Sequence, residues 1–191
     1  LSVRNLKTFF YTGRRCNKAV NGVSFDIHKG KTLGIVGESG CGKSTLAASL
    51  IALTAPGARL SGRVEIAGRD ILSLPEAARR PLRGPGVAMV FQDPMTAFNP
   101  VLTIGQQLCD FQHHLTLPRA ERQARAVAML ARVGLPDPGL AMARYVHELS
   151  GGMRQRAAIA AALLMRPHVL IADEPTTALD VTMEAQIIHL L

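Results

Sequence analysis

Long hydrophobic runs are missing from this chain. Its longest apolar stretches, such as Ala157–Met165 and Val169–Ala172, fall far short of the ~20 residues that a membrane-spanning helix requires. No N-terminal segment strings basic, apolar and small-residue regions together in the order of a signal peptide. If such a protein works at a membrane, it is expected to sit beside it and be held there by partners. Cysteine is scarce too. Cys16, Cys41 and Cys109 stand far apart and form no C-x-x-C pair, so neither a disulfide framework nor a zinc site is indicated, and a reducing, intracellular compartment fits. Acidic residues are outnumbered, 14 against 22 Lys plus Arg, for a net charge of +8. The arginines lie in scattered groups (Arg14–Arg15, Arg79–Arg80–Arg83, Arg119–Arg122–Arg125) without interleaved aromatics. That pattern reads as a solvated surface and not as a nucleic-acid stripe, so no nucleic-acid partner is expected.

What is present is a globular composition, 48% hydrophobic over 191 residues, enough for one domain with a core. Val3–Phe10 and Val20–Ile27 are short β-prone runs separated by the turn-like stretch Thr12–Asn17. Thr32–Val36 reads as a compact apolar strand broken by Gly37–Gly42, and Lys43–Leu53 as a helix stopped by Pro56 and Gly57. Gly62–Ala67 alternates as a strand with Val64 and Ile66 on one face, and Gly86–Phe91 reads as a buried strand. From Thr103 to about Gly134 the period is helical, with Val127, Leu130, Ala131 and Gly134 spaced as one face. After a Pro/Gly loop at 134–139, a helix is expected over Gly151–Met165, capped by Ser150. Val169–Ala172 is a strand meeting acids, and Met183–Leu191 is again helical. The outline is α/β with a helical insert.

Gly37-Glu38-Ser39-Gly40-Cys41-Gly42-Lys43-Ser44, followed by Thr45, fits G-x-x-x-x-G-K-[ST]. Glycines let successive N–H groups curl toward phosphate oxygens. Lys43 supplies positive charge for the β- and γ-phosphates, and the Ser44 hydroxyl suits Mg²⁺. The helix that follows presents its positive end to the same anion. At the other end of the chain, Asp173 and Glu174 stand where a buried strand emerges. Asp173 suits Mg²⁺ held through water, and Glu174 suits a water that attacks the γ-phosphate. Adjacent strand residues point to opposite sides, so the two acids need different roles.

Leu149-Ser150-Gly151-Gly152-Met153-Arg154-Gln155-Arg156 is the most informative stretch. A serine and two glycines at a helix start make a second anion-binding surface. Two phosphate-binding elements in one chain make sense if ATP is sandwiched between two subunits. Here the sequence resembles the ABC ATPase family, whose signature is LSGGQ; Met153 departs from it in the manner of the peptide and nickel importer branch. The resemblance covers essentially the whole chain. It implies a P-loop NTPase (RecA-like) core with an N-terminal antiparallel β subdomain and an α-helical insert, C-terminally truncated. As domains, 1–191 would be a partial nucleotide-binding domain, with the insert at 95–165 between core segments 1–94 and 166–191.

By the same resemblance Gln92, in Val90-Phe91-Gln92-Asp93-Pro94, matches a glutamine that senses metal and water. Asp180, in Thr176-Thr177-Ala178-Leu179-Asp180, matches the D-loop that communicates across the dimer. Phe10 lies where the family stacks an aromatic on adenine, although Phe9 and Tyr11 flank it and a core aromatic is the other reading. The site implied is therefore Glu174, Gln92 and Lys43 for catalysis. Phe10, residues 37–45, Gln92, Ser150, Gly151, Gly152, Asp173 and Asp180 would hold ATP, and Ser44, Gln92 and Asp173 would hold Mg²⁺. The family's switch histidine follows the D-loop on a further strand. His189 is too close to Glu174 to be it, and His113 and His114 carry no ligand spacing. Leu1 in place of Met, and a stop inside an apolar run, are expected to be cuts.

The implied function is ATP hydrolysis driving uptake of peptides or nickel at the cytoplasmic face of a bacterial inner membrane. The implied partners are a second ATPase subunit, identical or paralogous, integral membrane permease subunits and, indirectly, an extracellular solute-binding protein. Competing readings are an importer of another small solute, a soluble ABC-type ATPase of DNA repair or translation, and a non-hydrolysing regulatory binder. The compact insert argues against the soluble ATPase, and intact Lys43, Asp173 and Glu174 argue against the binder.

Overall fold

A computed structural model describes residues 1–13 and 15–190. Arg14 and Leu191, named above in an arginine group and at the end of a helical run, lie outside the described residues. The chain divides into two compact units, residues 1–87 and 88–191. Among the described residues no helix is long and apolar enough to cross a membrane.

In the first unit, β1 (Ser2–Thr12) and β2 (Arg15–Asp26) form an antiparallel hairpin. The strands run much further into the predicted turn than Thr12–Asn17 suggested, with Thr12 opposite Arg15. β3 (Ala58–Ile66) pairs with the other edge of β1, and β4 (Arg69–Asp70) closes the sheet in the order β2-β1-β3-β4. Gly62 on β3 has φ +104°, and a Cβ there would lie 2.5 Å from the Asn5 carbonyl oxygen, so only glycine admits the irregularity that β1 and β3 share. Val64 and Ile66 are buried together, as their alternation predicted.

Against this sheet packs α1 (Lys43–Leu50) through Leu46, Ala47, Ser49 and Leu50. A buried hydroxyl pair fixes the contact. Ser49 donates to the Thr45 carbonyl at 2.6 Å, which leaves its oxygen to accept from Thr8 Oγ1 at 2.7 Å. The helix stops at Leu50 and not at Leu53, because Ala52 turns to φ 52°. After α2 (Glu76–Arg79), Arg83 donates to the Ile51 and Ala52 carbonyls at 3.1 Å each and pairs with Glu76.

One expected strand does not form. Residues 32–36 carry no ladder, and Leu33, Ile35 and Val36 are exposed, the last at 96%. An apolar segment becomes a strand only when a neighbour aligns N–H and C=O groups with it, and no described residue does so here.

The second unit begins within β5 (Val87–Val90), at Ala88, and this strand pairs with β6 (Val169–Ala172). Its core is helical, with α3 (Ile104–Asp110), α4 (Arg119–Arg132), the single turn α5 (Pro138–Ala141) and α6 (Gly151–Leu164). α7 (Val181–Leu190) follows β6. The continuous helical stretch expected over 103–134 is two helices, since Pro118 lacks an N–H and serves as the N-cap of α4. On α4 the buried line is Ala126, Leu130 and Val133, whereas Ala131 and Gly134 are exposed. Counting from Val127 as a core residue had rotated the predicted face by one position. α6 is buried nearly all round, at Gln155, Ala157–Ala162 and Leu164, so it forms the centre of this unit, and its alanines admit close neighbours.

Candidate functional site

The glycine loop of the first unit leads into α1 with Gly40 at φ +77° and Gly42, the N-cap, at φ +107°. A Cβ on Gly42 would lie 2.5 Å from the Ala19 carbonyl oxygen, so β2 backbone crosses directly against the loop. The first helical bond runs from Leu46 N–H to Gly42 O at 2.8 Å, and no side chain caps the helix. The N–H groups of Lys43, Ser44 and Thr45 therefore have no intrahelical acceptor and form a row of donors at the positive end of the helix. The Lys43 ammonium folds back onto the loop, donating to the carbonyls of Gly37 at 2.8 Å and Glu38 at 3.0 Å. Ser44 is exposed and free of intramolecular hydrogen bonds among the described residues, and Ser39 and Cys41 are exposed beside it. A row of donors at a helix start is an arrangement that can take an anion. Phe10 stands half-buried on the face of β1 that also carries Thr8, the residue bonded to α1. Its neighbours are engaged on the opposite face, with Lys18 over the Phe9 ring at 5.8 Å and Arg59 over Tyr11 at 4.9 Å.

In the second unit β6 delivers the acids. The Asp173 N–H bonds the Val90 carbonyl at 3.0 Å, extending the β5–β6 pairing, and Asp173 is 8% exposed. Glu174 breaks away with φ 47°, a conformation costly for a side chain with a Cβ, and its carboxylate projects into solvent. There its Oε2 accepts a hydrogen bond from Gln92 Nε2 at 2.7 Å. Two predicted residues that lie far apart in sequence are thus in direct contact. The Asp93 side chain accepts from Met95 N–H at 2.9 Å and so shapes the turn that presents Gln92.

Ser150 caps α6 as its position predicted, its oxygen accepting from Met153 N–H at 3.3 Å. The hydroxyl hydrogen, together with the N–H groups of Gly151 and Gly152, remains at the helix start. A Cβ on Gly151 would meet nothing within 4 Å, whereas one on Gly152 would lie 3.2 Å from the Ala178 carbonyl oxygen. Arg154 braces the segment before the helix by donating to Val146 O at 3.1 Å. Asp180, expected from the resemblance to be a D-loop residue, is seen in a local role, its Oδ1 accepting from Met183 N–H at 3.0 Å at the start of α7. Sequence reasoning missed Gln155, whose buried side chain donates to the Pro175 carbonyl. No local signal marks it, because Arg154 and Arg156 flank it and Gln155 reads as one more polar residue of the first turns of α6. His113 and His114 pack edge to face at 5.8 Å, and His189 is exposed on α7. A cleft of about 600 Å³ opens among Thr103, Gln106, Cys109, Arg119, Arg122 and Met142. Burial pushes the Cys109 thiol up, with Arg122 opposing.

A glycine loop opening on a helix start, an acidic strand end and a second, serine-capped glycine helix start are features in keeping with a P-loop NTPase fold. The sequence profile of the ABC transporter family matches residues 20–177, and the chain belongs to that family. It is 48% identical over 193 residues to the dipeptide transport ATP-binding protein of Bacillus subtilis, covering 100% of this chain and 58% of that protein. It is 48% identical over 192 residues to the oligopeptide transport ATP-binding protein of Escherichia coli, covering 100% and 57%. The chain thus spans little more than half the length of these curated relatives. Among solved structures, a dimeric ATP-binding cassette in a post-hydrolysis state, bound to ADP and Pi, superposes with a TM-score of 0.88 at 29% identity, covering 99% of this chain and 80% of that one.

Proposed function

We propose that this chain is the nucleotide-binding and hydrolysing part of a peptide importer, peripheral to the cytoplasmic face of the inner membrane. The open row of donors at 43–45, with the Lys43 ammonium on the loop that precedes it, carries the reading, and the relatives' names, which are those of peptide-transport subunits, support the cargo class.

In this reading the loop 37–45 grips the β- and γ-phosphates of ATP, and Phe10 stacks on adenine. Ser150, Gly151 and Gly152 of a second subunit press on the γ-phosphate, and Asp180 links the two sites. Glu174 aligns a water whose oxygen attacks the γ-phosphorus. The bond from that phosphorus to the β–γ bridging oxygen breaks, and ADP and phosphate leave. Gln92 holds the Glu174 carboxylate through its amide and so controls when it is free to orient water. Ser44, Gln92 and Asp173 offer the hard oxygen ligands that Mg²⁺ prefers, and Mg²⁺ would supply charge neutralisation on the phosphates. Catalysis is then positioning plus charge stabilisation. The helical unit, with its cleft beside Arg119 and Arg122, would meet the permease subunits, which an extracellular binding protein supplies with cargo.

The test is a pair of variants. Lys43→Ala is expected to abolish tight ATP binding. Glu174→Gln is expected to keep binding and trap an ATP-bound dimer. Normal hydrolysis by Glu174→Gln would remove the role given to that carboxylate, and tight ATP binding by Lys43→Ala would remove the cradle.

A further inference from the structure

We propose that Gln155 is a positioning residue for hydrolysis, fastening the signature helix α6 to the backbone that carries Glu174. This rests on the nucleotide reading above.

Gln155 is 0% exposed, and its Nε2 donates to the Pro175 carbonyl at 2.9 Å. A carbonyl can only accept, so the amide is held in one orientation, with the NH₂ toward Pro175 and Oε1 turned away. That Oε1 is buried and has no hydrogen-bond partner among the described residues. An orphaned buried acceptor works against the fold, and packing alone would be served as well by an apolar side chain of the same length. The glutamine is therefore explained by what its donor holds. Pro175 directly follows Glu174, whose φ of 47° needs outside support to persist. The Thr177 hydroxyl grips the Glu174 carbonyl at 3.2 Å, Gln155 grips the next carbonyl, and Gln92 takes the carboxylate.

The same face of α6 meets the loop that follows β6 once more, where Gly152 is packed against the Ala178 carbonyl. Residues 152 and 155 have the spacing that puts them on one side of a helix. The helix whose first turn offers N–H groups to a partner's nucleotide is thus tied, three residues further on, to the carboxylate loop of its own chain. Displacing the start of α6 moves Pro175 and turns the Glu174 backbone. This makes Gln155 the cis link between the two phosphate-facing ends.

Gln155→Met tests this in the intact protein. Methionine matches the length and removes the orphaned acceptor together with the hydrogen bond, so the melting temperature is expected to stay near that of the wild type. The kcat for ATP is expected to fall tenfold or more. The KM for ATP should stay within twofold, because loop 37–45 is untouched. Gln155→Asn keeps an amide that is one methylene too short to reach Pro175, and the same split is expected. A kcat within twofold of the wild type in both variants overturns the proposal. So does a loss of kcat that tracks a falling melting temperature and a rising KM, or failure of both variants to fold, since either would make the residue merely structural. If the wild type itself neither binds nor hydrolyses ATP, the nucleotide reading fails first and takes this proposal with it. That arm is read before any variant.

Discussion

Gly151→Ala isolates what the start of α6 is for. Gly151 opens a 14-residue helix, and a Cβ built there meets nothing within 4 Å. Its φ lies outside the left-handed region, so alanine adopts the same backbone without strain. Replacing a helical glycine by alanine gains up to about 1 kcal/mol in a helix interior and less in a first turn. The chain by itself should therefore be unchanged or slightly stabilised, by 0 to about 1 kcal/mol in chemical denaturation. Any loss of turnover then comes from something outside the chain that needs the space beside Gly151. If a partner's ATP presses there, phosphate release should fall at least tenfold, equivalent to about 1.4 kcal/mol of transition-state stabilisation. Gly152→Ala is the comparison, because its Cβ would meet the chain's own Ala178 carbonyl at 3.2 Å. It should lose activity with a small cost in stability. Full turnover in Gly151→Ala would refute the sandwich, since nothing would then close on that helix start.

Other outcomes follow from the same packing. Gly42→Ala places a Cβ 2.5 Å from a backbone oxygen at φ +107°, so both folding of the first unit and ATP binding should suffer, read by thermal unfolding and nucleotide titration. Leu130→Ala removes a fully buried side chain from the helical core and should cost about 2–5 kcal/mol in chemical denaturation. A smaller loss would mean that the α4 face collapses around the cavity. The Arg83 guanidinium holds the Glu76 carboxyl below its ordinary range. A carboxyl lowered in the folded state contributes stability above its unfolded pKa and loses it as pH falls through the folded value. The difference in melting temperature between wild type and Glu76→Gln should therefore be present at neutral pH, begin to shrink as pH falls past the ordinary glutamate value of about 4.3, and be lost only as pH falls through the lower folded value. A difference that persists in acid would show that the pair contributes nothing through charge.

How much of the site could be read from the chain depended on how local each device is. The Gly37–Thr45 loop, the Ser150 cap and the strand ending in Asp173–Glu174 are each built from neighbours in sequence. Their residue types alone dictate a left-handed turn, a capped helix start and a strand that delivers acids. The alternation that buries Val64 with Ile66 is local in the same sense. The face of α4 was placed one residue off, because an alanine at 126 and a valine at 127 give nearly the same pattern and only the neighbours of Leu130 decide between them. Gln155, between Arg154 and Arg156, reads locally as an ordinary polar residue, and nothing nearby in sequence says that it is buried or that its partner is Pro175.

What the order of residues determined by itself was therefore the kit: phosphate-gripping turns, helix starts and paired acids, all set by backbone stereochemistry over a few residues. Tertiary structure alone decided what those parts do to one another. It placed the Gln92 amide on the Glu174 carboxylate across 82 residues and left the apolar segment 32–36 without a ladder. It also ran β2 so close to Gly42 that no Cβ fits. Contacts between distant segments depend on where the chain returns in space, and strand formation depends on a neighbour's hydrogen-bonding groups. Neither is encoded in the residue types of the segment itself.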